Sequence, residues 1–429
     1  MLSWLLTDDG TLTISGEGAM RDYNHNTETP WYSASSSFKA RKLVITEGIT
    51  HIGSNSFGYH TELEEVVLPE SLKSIGARAF DNCASLRSIE IPAGVDTLKA
   101  GIFKDCIGLG EVVLPPDITN IGTELFRGCT SLRTIVVPEG VTVIGQNAFD
   151  GCSSLYSITL PVSLETVIDN AFGGGPNAFG PCRSLSYVEY MGSEQQWENI
   201  EIEKNNDPLL KATLNCALIA GGSAGENVSW SLSKDGTLTI SGEGAMDLAA
   251  PWKENANEIR SLVIEEGITR ISTSAFHECR NLSEVSLPKS LERIGPGAFH
   301  ACSSLRNIKL HQGITYIGDY AFQGSGLTEI SIPSSVTYLG VAAFFECRSL
   351  STVNIAEGLE LIGMTAFRGC YSLSSISIPE SVTNIGYFAF KDCSSLYTVD
   401  YAGTAEQWNA IKISGDNDTL LNASISFKQ

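Results

Sequence analysis

Phenylalanine returns along this chain at an almost constant interval. Phe57, Phe80, Phe103, Phe126, Phe149 and Phe172 are each 23 residues apart, and Phe276, Phe299, Phe322, Phe344, Phe367 and Phe390 repeat the spacing with one step of 22. A unit of that length is too short to enclose a core of its own, so it must bury its apolar face against the units before and after it. At 429 residues the chain also exceeds what one globular core accommodates. The rhythm therefore predicts a solenoid.

The stretch from Leu86 shows how one unit is written. Leu86, Ile89 and Ile91 form an L-x-x-I-x-I pattern, the strand signature of leucine-rich repeats, and alternation sends Ser88 and Glu90 to the opposite face. A proline closes the strand at positions 69, 92, 115, 138, 161, 288, 333 and 379, where its missing donor ends the ladder. Most units then carry Ile-Gly or Leu-Gly, as at Gly76 and Gly386, which predicts either a positive φ or a close approach between coils. The unit that starts at Leu86 departs, with Lys99 after Leu98. The expected fold is a β-rich leucine-rich repeat solenoid, with a parallel sheet on one face and a mostly irregular opposite face. The phenylalanines should stack as a spine between coils.

Nine of the eleven cysteines sit three residues after a spine phenylalanine. Cys182 holds that offset from Phe179 within an inserted loop, and Cys216 lies outside the rule. No C-x-x-C pair is present, so a zinc ribbon is excluded. Stacked coils place Cα atoms about 4.8 Å apart, and parallel Cβ atoms at that separation exceed the roughly 3.8 Å of a disulfide. Buried free thiols are favoured over a disulfide ladder.

The two halves are duplicates, ends included. SWLLTDDGTLTISGEGAM, from Ser3, matches SWSLSKDGTLTISGEGAM, from Ser229. Asp9-Gly10 and Asp235-Gly236 predict two-residue hairpin turns, and Pro30-Trp31 and Pro251-Trp252 complete caps over the first coil of each half. Ser193 with Gln196, and Thr404 with Gln407, have capping-box spacing, which starts a short helix carrying Trp197 or Trp408 over the last coil. Two tandem capped arrays of about six 23-residue repeats follow: residues 1–217, a Gly-rich flexible linker at 218–228, and residues 229–429. The first half alone carries a seven-residue insertion, from Gly173 to Phe179. Its stretch from Met20 to Pro30 is also five residues longer than its counterpart.

Chemistry is hard to find. No H-E-x-x-H, G-x-S-x-G or Walker loop is present. His51, His60, His277 and His300 occupy positions that other units fill with unrelated residues, which favours solvated or edge roles. Gly173-Gly174-Gly175 lacks the lysine and helix of a phosphate loop and reads as a flexible loop. Asn205-Asn206-Asp207 and Asp416-Asn417-Asp418 supply too few oxygens for calcium and read as Asx turns. No catalytic residue, metal site or cofactor is expected, and the chain reads as a non-enzyme. A net charge of −21, from 28 basic and 49 acidic residues, repels phosphate backbones and anionic lipid. No run of about 18 apolar residues exists to insert into a membrane. Met1 reads as the start of a trimmed fragment, so a missing signal segment says nothing of the compartment.

The L-x-x-I-x-I-P, I-G-x-x-A-F and C-x-S-L elements, with the DGTLTISGEGAM opening and the EQW closing segment, resemble the BspA-like leucine-rich repeat surface proteins across nearly the whole chain. The resemblance implies a bacterial cell-surface or secreted protein. It also implies adhesion to a host or microbial protein or glycan, and no enzyme chemistry. Leucine-rich repeats usually bind through the outward sheet face. In the first half that face carries Val44, Val67, Val113 and Val136 as a mild apolar stripe, beside Glu65, Glu90 and Glu111, and ends at Tyr187 and Glu189. These residues are the candidate binding site, against the plainer reading that valine suits solvated strands. The alternative role is a stiff spacer that presents another domain of a larger surface protein.

Overall fold

A computed structural model describes residues 2–32, 40–175, 180–246 and 250–427. The chain divides into two compact units, Met1–Ala217 and Leu218–Gln429. In both, each repeat is one coil of a solenoid. The wide-sheet strands of the first unit are Lys42–Ile45, Glu65–Val67, Ser88–Glu90, Glu111–Val113, Thr134–Val136, Ser157–Leu160 and Tyr187–Tyr190. Parallel pairing keeps equivalent residues in register, as in Leu43 with Val66 and Ile158 with Val188. A second, narrower ladder of short strands runs along each unit. In the first unit it includes Ser74–Ile75 and Thr97–Leu98, and in the second Arg293–Ile294 and Tyr316–Ile317. Outside the wide sheet the coils are otherwise mostly turns, as the sequence suggests.

The aromatic spine is present. All twelve spine phenylalanines are fully buried, and neighbouring rings stack nearly parallel, as in Phe80 on Phe103 at 5.9 Å and 4° and Phe344 on Phe367 at 5.3 Å and 1°. The spine is longer than the phenylalanine count, because the cap tryptophans begin it. Trp31 stacks on Phe57 at 5.3 Å, and Trp252 on Phe276 at 5.6 Å. Each buried indole N–H donates to a carbonyl, of Ser56 at 3.0 Å and Ala275 at 2.8 Å.

Backbone hydrogen bonds join the inner rings to the coil that follows. Asn55, Phe57 and Tyr59 donate their amides to the carbonyls of Ala77, Ala79 and Asp81 on the following coil. To do so the chain takes a left-handed conformation two residues on either side of the ring, at Asn55 (φ 55°) and Tyr59 (φ 62°). The Ile-Gly glycines are not the positive-φ positions. They serve close approach: a Cβ on Gly386 would lie 2.6 Å from the Met364 nitrogen, and one on Gly318 2.5 Å from the Pro296 nitrogen.

All eleven cysteines are buried, and none is in a disulfide. Most of their thiols share one kind of partner, a spine carbonyl. Cys106, Cys129 and Cys152 each donate, at 3.1 Å, to the carbonyl of the phenylalanine one coil back, namely Phe80, Phe103 and Phe126. Cys182 keeps this ladder running past the insertion, with its thiol on Phe149 O and its amide donating to Phe172 O. It is therefore the cysteine of the Phe172 coil rather than of Phe179, which lies outside the described residues. Its sequence offset reflects chain inserted between ring and thiol.

The caps form with two corrections. The hairpin loops hold three residues, not two: Gly10 donates to Thr7 O, Gly236 donates to Ser233 O, and both glycines have positive φ. Asp9 and Asp235 fasten these loops by accepting from the Thr11 and Thr237 amides. The stretch 218–228, expected as a flexible linker, is mostly strand. Leu218–Gly225 pairs antiparallel with Val228–Ser233 and so belongs to the second unit. An open hairpin edge supplies the hydrogen bonds that outweigh glycine's preference for disorder. This strand lies against the indole of Trp230: a Cβ on Gly222 would touch Trp230 Nε1 at 3.5 Å, an ordinary contact. Trp230 is consequently 8% exposed, against 39% for its counterpart Trp4.

At the far ends the helices Glu194–Glu198 and Ala405–Ala410 start from complete capping boxes at Ser193 and Thr404. Trp197 and Trp408 meet Tyr190 and Tyr401 edge-on at 5.3 and 5.2 Å.

Candidate interaction face

Side chains that point away from the core on the wide sheet are exposed to the degree that their position in the coil dictates. On the first unit Val67 is 40% exposed, Val113 55% and Val136 64%, large values for valine in a strand. Glu65, Glu90 and Glu111 are exposed beside them, and Val44 is half-buried against Val67, its partner in register. Lys42 reaches Glu65 at 2.6 Å, which neutralises one of the carboxylates at an exposed site.

The structure brings part of this set together. Val67, Glu90 and Val113 line one groove of about 440 Å³, with Glu70, Pro92 and Pro116. The groove exists because Ala93 stands where the flanking coils carry Glu70 and Pro116, so the middle coil is lower than its neighbours. Its floor is apolar, from the buried Ile91 and Pro92, and its rim carries the carboxylates of Glu70 and Glu90. The exposed lining is more polar than apolar, so the groove favours a cationic group and offers an apolar side chain only a small contact.

The remaining candidates lie elsewhere. Val136 stands in register with Thr159 on the adjoining sheet segment. Tyr187, 36% exposed, packs edge-on against Tyr156 with centroids 5.3 Å apart, so the two rings form a separate exposed aromatic pair. Glu189 is half-buried and accepts from Asn215 Nδ2 at 2.9 Å, which ties it to the last strand rather than leaving it open to a partner. The groove roles of Pro92 and Pro116 and the ring of Tyr156 were missed in the sequence, because strand alternation says nothing about residues outside the strands, whether after them like the prolines or before them like Tyr156.

The histidines divide unequally. His60 is buried, unlike the solvated role expected, and donates from Nδ1 to Phe57 O at 2.9 Å. Burial holds its pKa below the usual histidine range. His277 and His300 pack together with ring centroids 4.6 Å apart. Among the described residues no group of three His, Cys, Asp or Glu side chains is arranged to hold a metal ion. Asn206 and Asn417, within the oxygen-rich triplets, are buried structural residues: their Oδ1 atoms accept the amides of Phe172 at 3.1 Å and Phe390 at 2.9 Å. No helix among the described residues is long and apolar enough to cross a membrane.

Stacked coils of about 23 residues, a parallel sheet and a buried aromatic spine define a leucine-rich repeat solenoid, a class that is generally non-enzymatic. The model of the BspA type leucine rich repeat region matches six copies, over residues 50–178, 254–359 and 315–413, and the chain belongs to that family. Among solved structures, it is similar to a leucine rich cell surface protein from Faecalibacterium prausnitzii, with 25% identity over 96% of both chains and a TM-score of 0.29. A leucine-rich repeat protein of T. pallidum has 24% identity over 51% of this chain and 96% of its own, with a TM-score of 0.34. The pneumococcal vaccine antigen PcpA has 15% identity over 100% of this chain and 96% of its own, with a TM-score of 0.29. No curated protein matches the chain.

Proposed function

We propose that this chain is a non-enzymatic interaction protein, displayed at the cell surface or secreted, that adheres to a protein or glycan partner through its extended solenoid faces. The groove lined by Val67, Glu90 and Val113 carries the reading. It combines an apolar floor, exposed valines and two rim carboxylates on a face whose backbone is already satisfied by the ladder. Val67 and Val113 leave much of their surface open at the groove, where an occupant would cover it. Family membership supports a protein-interaction role and a surface location.

The test is a screen of immobilised host proteins and glycans against each unit separately. Binding by the first unit that disappears when Val67 and Val113 are changed to lysine supports the proposal. Binding to no member of a broad panel argues for the spacer role instead. One observation favours that second role: each unit carries a packed tryptophan at both ends, Trp31 and Trp252 on the first spine ring and Trp197 and Trp408 on Tyr190 and Tyr401, which suits a stiff module in a longer stalk.

A further inference from the structure

The narrow ladder of each unit presents one outward side chain per coil, and the duplication of the chain makes this column its own control. In the first unit the column reads His51, Ser74, Thr97 in register. In the second unit the same three coils carry Arg270, Arg293 and Tyr316, followed by Tyr338 and an exposed Leu361. Both copies fold into the same coils, so the scaffold does not require Arg and Tyr there.

Folding alone disfavours the arrangement. Two guanidinium groups stand side by side in register, and like charges so placed repel. The chain has 49 acidic residues, yet among the described residues no carboxylate lies within ion-pair distance of Arg270 or Arg293. Arg293 stacks on the Tyr316 ring, with Cζ 4.0 Å from the centroid, and Tyr316 stacks on Tyr338 at 4.8 Å and 4°. The Tyr338 hydroxyl donates to Asp319 at 3.1 Å, which holds the stack in place. Stacking occupies the face of the guanidinium and leaves its N–H edge free to fork a carboxylate.

A small cleft of about 140 Å³ lies at the charged end of the column, lined by Arg270, Arg293, Tyr316 and Ser272 among others. Ser272 is 3% exposed, and its hydroxyl is buried with no hydrogen-bond partner. An orphaned hydroxyl beside two unpaired guanidinium groups is a site short of an acceptor.

We propose that this column is a second interaction site, which docks an acidic protein segment. A carboxylate would sit between Arg270 and Arg293, and neighbouring apolar side chains would lie along Tyr338 and Leu361. Arg and Tyr are the residue types that dominate protein interfaces. The exposed leucine at the far end suits a polypeptide better than a sugar. The net charge of −21 disfavours a densely charged polyanion and leaves a sparsely acidic segment as the matching partner. The site rests on the interaction-protein reading but not on the first unit's groove.

The test pans the full chain against a random dodecapeptide phage library and measures the selected peptide by fluorescence anisotropy. Its expected result is a consensus with Asp or Glu next to Leu, Phe or Tyr. Affinity should fall about tenfold or more on Arg293→Ala, and by less on Arg293→Lys, which keeps charge but loses the fork. The variant Arg270→His/Arg293→Ser/Tyr316→Thr imports residues that the first unit already folds with, so it separates binding from stability. It should abolish binding with its melting temperature kept, while lysines at Val67 and Val113 leave binding intact. A consensus without an acid, or affinity unchanged by the triple exchange, overturns the proposal. Column-dependent binding of alginate, a uronic-acid polysaccharide, without peptide binding also overturns it and reassigns the site to a glycan.

Discussion

Asn417 Oδ1 accepts the backbone amide of Phe390 at 2.9 Å, in the place where every inner coil offers a carbonyl from the coil that follows. The solenoid has no further coil there, and the side chain stands in for one. Its Nδ2 donates to the carbonyls of Gly386 at 2.9 Å and Ser414 at 2.8 Å, so one buried side chain satisfies three backbone groups. Asn206 does the same for Phe172 in the first unit. Asn417→Ala should destabilise the second unit by about 1–3 kcal/mol for the first orphaned group alone. Denaturant unfolding should show the second unit's transition shifted and the first unit's unmoved.

The spine makes a larger demand. Phe103 is fully buried between Phe80 and Phe126, at 5.9 and 5.8 Å. Phe103→Ala should cost about 3–5 kcal/mol, because coils held by backbone ladders cannot collapse into the cavity. Thermal unfolding of that variant equal to wild type would remove the spine as the source of stability.

Thiol chemistry gives an inexpensive check on the cysteine ladder. Burial pushes the Cys106 thiol up to about 12 and Cys370 well above its ordinary value, so both stay protonated at neutral pH. A thiol reagent should count eleven groups in denaturant and react only slowly with the native protein. A denatured count well below eleven would mean disulfides.

One carboxyl carries a pH dependence of unusual sign. Burial raises Asp81 from 3.8 to about 6, with Lys104 opposing and Asp105 adding to the shift. Between those two values the folded state keeps a proton that the unfolded state has released. This group's contribution to stability therefore falls as pH rises from about 4 to about 6 and is lowest above that window. Asp81→Asn should be the more stable protein at neutral pH, with the gap closing as pH falls from about 6 to about 4. Melting temperatures of both proteins across that range decide it.

Periodicity made the strands, the spine and the thiol positions legible, because a core repeated every coil leaves the same letter at the same phase. What escaped had no phase to follow. Trp31 and Trp252 continue the spine from outside the repeat, so their place in the stack could not be counted. Leu218–Gly225 has linker composition and became strand only because an open hairpin edge lies beside it. The Ile-Gly glycines were left between two explanations that only the distance between coils separates. At the groove, Val67 and Val113 were visible as outward residues, but the dip at Ala93 depends on side chains of adjacent coils. The Arg270–Tyr338 column shows when one half is aligned on the other, coil by coil, rather than each coil on its neighbours.

The most direct test of the account changes the first unit's outward face and nothing beneath it. Val67→Lys/Glu111→Lys/Val136→Lys alters exposed side chains only, so its melting temperature should stay near that of wild type. Binding to a partner found for the first unit should weaken about tenfold or more by surface plasmon resonance. Affinity unchanged in a folded triple variant would contradict the account and take that face out of the protein's function.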